Sequence, residues 1–251
     1  MIKNILISQP EPIGKNPYKQ IEEKFGIKID FKKFFDIQAI ETKEFKEQKI
    51  KINNYSGIIF TSRTAIDHFF GLMKKLDITV PNTMKYFCPN EKIAHYLQKY
   101  IVYRKRKIFY GDNGLSDNII DIVEKYKQEP MLLPGPEGSK STLYNRLKKN
   151  KFDVTAIGIY KIVYANLKDI NIDSYDLIAF FSPWGVKAFQ ENFKNLNKRE
   201  IIIASSGNET AKALKKAGFK IDIKFNHKKH SSMQEAIMEF LLSKIKEAKN
   251  A

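Results

Sequence analysis

At 251 residues the chain can hold one large domain or two of ordinary size, and a hydrophobic content of 43%, with 18 Phe and 12 Tyr, excludes a disordered chain. Cys88 is the only cysteine, which excludes an internal disulfide and any thiolate-cluster metal site and points to a reducing compartment. The net charge of +16, from 44 Lys+Arg against 28 Asp+Glu, fits either an anionic partner (nucleic acid, phosphate or polycarboxylate) or a lysine-rich surface that serves solubility.

The start, MIKNILISQP, lacks the long apolar core of a signal peptide, and no apolar run approaches the ~20 residues of a membrane span. A soluble, cytoplasmic protein is expected. Ile2–Ser8 reads as a buried strand ended by Gln9-Pro10-Glu11-Pro12; Asn16-Pro17 opens a helix to about Lys24 that Gly26 closes. Ile27, Ile29 and Phe31 alternate as a second strand. Residues 36–54 read as a linker with a short helix around Lys43–Gln48. Tyr55–Phe60 is a strand, followed by Thr61-Ser62-Arg63-Thr64 and a helix through Leu76. Tyr86–Cys88 is a short strand and Asn90-Glu91 starts a helix through Tyr100. The basic run Arg104–Lys107 lies between the strand signals at Val102 and Ile108–Tyr110, more like a solvated turn than a nucleic-acid arm. A helix follows over Ser116–Lys127.

Met131–Leu133 is a strand ending in Pro134-Gly135-Pro136-Glu137-Gly138, with a helix over Ser139–Asn150 and a strand over Phe152–Tyr160 that runs on toward Tyr164. Asp176–Phe189, DLIAFFSPWGVKAF, has the clearest pattern in the chain. Its apolar run suits a strand buried on both faces, Ser182 stands where a helix N-cap belongs, and Pro183 occupies the first helical position. Ile201–Ala204 is a strand into Ser205-Ser206-Gly207-Asn208-Glu209, and a helix from Thr210 ends at Gly218. Phe219, Ile221 and Ile223 alternate as a strand, and Ser231-Ser232 caps a last helix over Met233–Ala248. Short strands alternating with helices predict an α/β protein with parallel sheets, whose ligand sites lie at the carboxyl ends of the strands.

The order of these units is written twice. With Tyr55 placed over Tyr175, Ile58 meets Ile178, Phe60 meets Phe180, Ser62 meets Ser182 and Phe69 meets Phe189. Ala94–Leu97 falls over Ala211–Leu214, and Ile29, Phe35 and Ile37 over Val154, Tyr160 and Ile162. Three matches in one order argue for a duplicated α/β module. Strands running on at Phe31–Asp36 and Tyr160–Tyr164 predict a discontinuous domain of residues 1–35 plus 165–251 and an inserted one of 38–163, with linkers near 36–37 and 164.

Ser62 and Ser182 are either ordinary N-caps or a pair of anion cradles made of a hydroxyl and free backbone N–H groups. Gly207–Thr210 is a third such turn, where Gly207 permits close approach to backbone, and Pro134–Gly138 a fourth; it lacks the Lys-Ser/Thr ending of a P-loop. No zinc-binding or Cys-paired pattern includes His68, His95, His227 or His230. The first two fall in helices and read as structural; the others lie in a basic loop. Tyr160, at the end of a strand near the proposed crossing, is either a proton donor or a half-buried core tyrosine.

These turns in this order resemble uroporphyrinogen-III synthases. The matching stretches are IIFTS (Ile58–Ser62), FFSPWG (Phe180–Gly185), GNETAKALKKAGF (Gly207–Phe219) and the strand GIYKI around Tyr160, with FCPNEKIAHYLQKYIVYRKRKIFYG similar to the form in bacteroidete-type bacteria. The resemblance implies two flavodoxin-like α/β domains joined by a two-strand linker, with the active site in the inter-domain cleft. It implies a cofactor-free lyase that closes linear hydroxymethylbilane, a polycarboxylate, into a macrocycle with inversion of the terminal pyrrole ring and loss of water. The protein would feed tetrapyrrole (haem) biosynthesis, as a monomer with no nucleic-acid or membrane partner. By that resemblance Tyr160 assists loss of the hydroxyl, and Thr61, Ser62, Ser182, Pro183 and Thr210 bind substrate; Arg63, Gly207 and Trp184 are further candidate contacts, and Trp184, which stands where the family commonly has a small residue, either stacks on a pyrrole or covers the rim. Gln9 stands where the family usually has an arginine, and Asn90-Glu91-Lys92-Ile93 lacks the family's threonine. The alternative is a non-catalytic two-domain protein that binds or senses a small anion.

Overall fold

The computed structural model describes residues 2–111, 117–138, 140–194, 201–226 and 229–250. The chain runs β1 (Asn4–Ile7), α1 (Lys19–Phe25), β2 (Lys28–Phe31), β3 (Phe35–Ala39), α2 (Thr42–Glu47), β4 (Gly57–Ile59), α3 (Arg63–Lys75), β5 (Lys85–Cys88), α4 (Glu91–Tyr96) and β6 (Ile108–Tyr110). It continues α5 (Asp117–Val123), β7 (Met131–Pro136), α6 (Thr142–Lys149), β8 (Val154–Tyr164), β9 (Leu177–Phe180), α7 (Pro183–Asn192), β10 (Ile202–Ser205), α8 (Gly207–Lys216), β11 (Ile223–Lys224) and α9 (Met233–Asn250).

The contacts divide the chain into a split unit, Met1–Asp36 with Val163–Ala251, and an inserted unit, Ile37–Ile162. The split unit has a sheet ordered β2-β1-β9-β10-β11, and the inserted unit one ordered β8-β7-β4-β5-β6 with β3 added beside β8. Pairs from β2 through β11 and from β8 through β6 are parallel. β4 and β9 hold the same place in the two sheets, as do β5 and β10, and β7 and β1. The internal repeat is therefore a repeat of strand order.

Both sheets are covered on both faces, as continuous apolar strands require. In β9, Leu177 and Ala179 pack into one core with β1, α1 and α9, while Ile178 and Phe180 pack into the other with α7 and α8. In β4, Ile58 and Phe60 face α3 and α4, and Ile59 faces α5 and α6. Gly57 is a steric requirement, because a Cβ there would lie 2.8 Å from the Phe87 ring.

Four details differ from expectation. Residues 36–37 lie within strand β3, whose hydrogen bonding to the distant β8 no local pattern announces. Pro134-Gly135-Pro136 belongs to β7 rather than to a turn, and the turn is confined to Glu137-Gly138. Val102 is exposed and outside any strand, and of the Phe219–Ile223 alternation only Ile223 enters a strand; Phe219 and Ile221 pack partly buried under α7 and α8. Ser116 and Ser139, the expected first residues of two helices, lie outside the described residues, as does His227.

Candidate functional site

Two helix starts are near-replicas. Ser62 precedes α3 with φ −157° and ψ 160°, and its Oγ accepts the Ala65 N–H at 3.1 Å. Ser182 precedes α7 with φ −154° and ψ 156°, and its Oγ accepts the Gly185 N–H at 3.1 Å. Each follows the central strand of its sheet, so each helix presents its N-terminal N–H groups and positive dipole end at the carboxyl end of the strands. Asn90 caps α4 in the same manner, its side chain accepting the Ile93 N–H at 3.0 Å. At α8, Ser206 makes no such cap bond, and the chain turns through Gly207 at φ +76°, where a side chain would be strained.

In the inserted unit, Thr61 and Arg63 are exposed at the start of α3, and the Arg63 guanidinium lies 5.2 Å from the Tyr96 ring centroid. Asp67, one turn on, accepts hydrogen bonds from the hydroxyls of Tyr96 at 2.9 Å and Tyr100 at 2.5 Å and from Lys99 at 3.1 Å. Partial burial pulls its carboxyl pKa upward, but the hydrogen bonds from Tyr100, Tyr96 and Lys99 outweigh that and hold it below the ordinary value.

Tyr160 lies in mid-strand, a correction to the expectation that it ends one. A register shift at Gly135/Pro136 moves the pairing from Gly135 with Gly158 to Pro136 with Tyr160. This bulge breaks the alternation of β8, so Tyr160 joins the same core as Ile157 and Ile159. Gly158 is obligatory at the bulge, since a Cβ would meet Glu137 Cα at 2.9 Å. The phenol is 9% exposed and its ring centroid is 5.2 Å from that of His68, whose Nδ1 is 2.8 Å from the Thr64 carbonyl oxygen. His68, read from sequence as structural, thus ties Tyr160 to the first turns of α3. Among the described residues the Tyr160 hydroxyl has no hydrogen-bond partner, and burial raises its pKa, which keeps its proton on. Neighbouring Lys161 is engaged elsewhere, 2.5 Å from Glu44 and 3.8 Å from Glu137.

In the split unit Pro183 and Trp184 are partly buried in the first turn of α7, with Lys187 Nζ 4.6 Å from the Trp184 ring centroid. Thr210 is buried in the body of α8, not at its start, because Gly207 is the first helical residue. Sequence reasoning missed two residues here. Ser8, just beyond β1, and Ser205, at the end of β10, are buried, and their hydroxyls have no partner among the described residues. Leu6 and Ile203, two positions before each, pack under α7 and α8, so the period of two sends both hydroxyls to that face. The Ser8 hydroxyl lies 3.6 Å from where a Gly185 Cβ would stand, directly under the first turn of α7. His230 lies 2.8 Å from Glu239 and packs on Phe225.

No helix among the described residues is long and apolar enough to cross a membrane, and no group of three or more metal-ligating side chains occurs among them. Two similar parallel-sheet units, one split by the other, with capped helices at the carboxyl ends of their central strands, define a duplicated two-domain α/β protein. The model of the family "Uroporphyrinogen-III synthase HemD" matches residues 18–233, and the chain belongs to that family. A protein of Methanocaldococcus jannaschii named "Putative uroporphyrinogen-III synthase" is 37% identical over 90 residues, a match spanning 34% of this chain and 37% of that relative. Among solved structures, a mutant uroporphyrinogen III synthase of Thermus thermophilus superposes with a TM-score of 0.66 at 15% identity, covering 97% of this chain and 99% of the other. Uroporphyrinogen-III synthetase of Helicobacter pylori gives 0.57 at 17% identity, covering 96% and 99%. At these identities the two structures bear on the fold alone.

Proposed function

We propose that the chain is a uroporphyrinogen-III synthase: a cyclising hydro-lyase that converts hydroxymethylbilane to uroporphyrinogen III with inversion of the terminal ring. The observation that carries this reading is the family match across residues 18–233, on a chain whose two replicate helix starts, each with a capping serine and free N–H groups, are suited to hold anions. A net charge of +16 favours capture of a polycarboxylate. Thr61, Ser62 and Arg63 in the inserted unit, and Ser182, Pro183, Trp184, Gly207 and Thr210 in the split unit, are the proposed substrate contacts.

Tyr160 is the proposed general acid. Its phenol, kept protonated by burial, gives its proton to the substrate's terminal hydroxyl as the carbon–oxygen bond breaks and water leaves. The substituted α-carbon of the terminal pyrrole then bonds to the freed methylene carbon, giving a spiro intermediate. Its bond to its original methylene breaks, the ring turns over, and its free α-carbon bonds to that methylene, the proton lost as the pyrrole regains aromaticity returning to the phenolate. The steps exchange no electrons. Backbone donors at the helix starts hold the reacting chain in its folded geometry, which supplies rate by orientation. A monomer working in the cytoplasm completes the reading.

Incubation with freshly prepared hydroxymethylbilane tests it. The type III isomer should form above the spontaneous type I product; type I alone overturns the assignment and leaves an anion-binding protein.

A further inference from the structure

The two units carry a groove at the same place in their repeats, at the opposite ends of the strands from the capped helix starts. In the inserted unit it measures about 520 Å³ and runs between the second half of α3, the chain entering β5 and the chain entering β6. In the split unit it measures about 910 Å³ and runs between the second half of α7 and the chain entering β10 and β11. Such a groove follows from the architecture, so its existence alone assigns nothing. The charges around it differ between the copies.

In the split unit each lysine at the groove among the described residues has an acid beside it: Lys194 is 3.2 Å from Glu191, Lys220 3.5 Å from Asp222 and Lys244 2.8 Å from Glu247. In the inserted unit the groove is bordered by Lys74, Arg104 and Lys107, and no acidic residue among the described residues lines it. Among the described residues none of these three cations has an acidic partner or stands over an aromatic ring. Where Asp222 precedes β11, β6 begins with the buried Ile108. The Lys107 ammonium is held below its ordinary pKa by desolvation first, and by Arg104 and Arg106. The floor is apolar and partly aromatic, with Phe70 stacked on Tyr100 at 4.9 Å between centroids. A volume near the lower end of the roughly 300–1,000 Å³ of small-molecule sites, mostly apolar walls and a few convergent charges of one sign are the features of a ligand pocket.

We propose that this groove of the inserted unit binds a small amphipathic anion, an aromatic body with a carboxylate head, the rings against Phe70 and Tyr100 and the carboxylate toward Arg104 and Lys107. Like-charged cations without counter-ions repel one another, and an arriving carboxylate relieves that repulsion while forming charge-assisted hydrogen bonds. The site is separate from the proposed substrate contacts: it borders the last two turns of α3, whereas Ser62 caps the first.

The probe is 2-naphthoate, with 2-naphthylmethanol as its neutral counterpart, titrated into the full ¹⁵N-labelled chain and followed by amide shifts. Naphthoate should move the amides of Gly71, Val80 and Ile101 and leave those of Gly218 and Lys220 in the other groove unmoved. It should also bind at least tenfold tighter than the alcohol. Arg104→Gln combined with Lys107→Gln should erase that preference. Gly71 borders the groove within α3, and a Cβ there would meet nothing within 4 Å, so Gly71→Leu fills the groove without a clash and should weaken both ligands at least tenfold. Equal binding of acid and alcohol, equal shifts in the two grooves, full affinity in Gly71→Leu, or no shift at millimolar naphthoate would each overturn the proposal. None of these readouts depends on turnover of hydroxymethylbilane.

Discussion

The split and inserted units share a strand order and a helix cap, and they part company in how they treat polar atoms beneath that cap. By strand order and register, Ser205 at the end of β10 corresponds to Cys88 at the end of β5, and both are fully buried. The thiol behaves as a small hydrophobe, its pKa pushed up to about 12 by burial. The hydroxyl at the same place is a buried polar group without a partner among the described residues, a condition that costs about 1–3 kcal/mol. Ser8 in turn corresponds to Pro134, which has no hydroxyl to satisfy. The split unit thus stores polar strain under its helix starts. The inserted unit has apolar equivalents there, Cys88 and Pro134. Duplicated modules need not divide stability and chemistry evenly.

The largest effect expected of a substitution in either unit is on turnover. Tyr160→Phe removes only a hydroxyl that has no partner among the described residues, so the fold should be retained, while formation of the type III isomer should fall by about 10²–10⁴, the usual weight of a general acid. Unchanged turnover would return Tyr160 to the core. Exchanging the paired residues comes next. Cys88→Ser should lower unfolding free energy by about 1–3 kcal/mol in urea titrations, whereas Ser205→Cys should leave it unchanged or raise it by about 1 kcal/mol. Losses of equal size in both would show that the two environments do not differ.

The caps probe the shared half of the comparison. Ser62→Ala and Ser182→Ala should each destabilise by about 1 kcal/mol, the common cost of losing an N-cap oxygen, and Ser206→Ala, at a helix start without a cap bond, by clearly less. Gly185→Ala copies Ala65 of the other unit. Its Cβ would sit at ordinary contact distance, 3.6 Å, from the Ser8 hydroxyl, so a gain of about 0.5–1 kcal/mol in helix propensity should survive in thermal melts. The smallest effect belongs to Asp67. Its folded pKa lies below the unfolded value of about 3.9, so its contribution is complete above about pH 4 and disappears as pH falls through the folded value. The gap in melting temperature between the wild type and Asp67→Asn should therefore narrow as the pH falls below about 4.

What could be read in advance follows the range of the interactions. The strand and helix of Leu177–Asn192, and their counterpart at Gly57–Lys75, are specified by residues within one turn of each other: an apolar run, a serine cap, then a helical stripe. Those features were legible, and comparing them disclosed the repeat. The strand signal through Asp36 was legible, but the extension of β3 to Ala39 and its pairing were not, because its partner, β8, lies more than a hundred residues away and its own residues are half-exposed or exposed. The place of Tyr160 was misjudged because the bulge at Gly135/Pro136 is a property of two strands together. Ser8 and Ser205 gave no warning either. A serine at a strand end is ordinary in sequence, and only its burial beneath α7 and α8 makes it notable. The capped turns were visible as chemistry, but the contact between His68 and Tyr160 belongs to tertiary structure.

One feature of the chain path bears on how the molecule is made. The split unit is interrupted at Asp36 and resumed at Val163, and its two broken ends are tied together by the Ala165 N–H donating to the Phe34 carbonyl at 2.9 Å. The inserted unit has its own ends joined in the same manner, by Ile40 and Ile159 at 3.5 Å. During synthesis β1 and β2 emerge together, but β9, which pairs with β1 on its other side, is translated only after the inserted unit. The inserted unit emerges whole before β9. Once folded, it turns a long loop into a short staple and removes most of the closure entropy that assembly of the split unit would otherwise face. Destabilising substitutions within Ile37–Ile162 should therefore slow the completion of both units in refolding experiments, and those near the carboxyl terminus only that of the split unit.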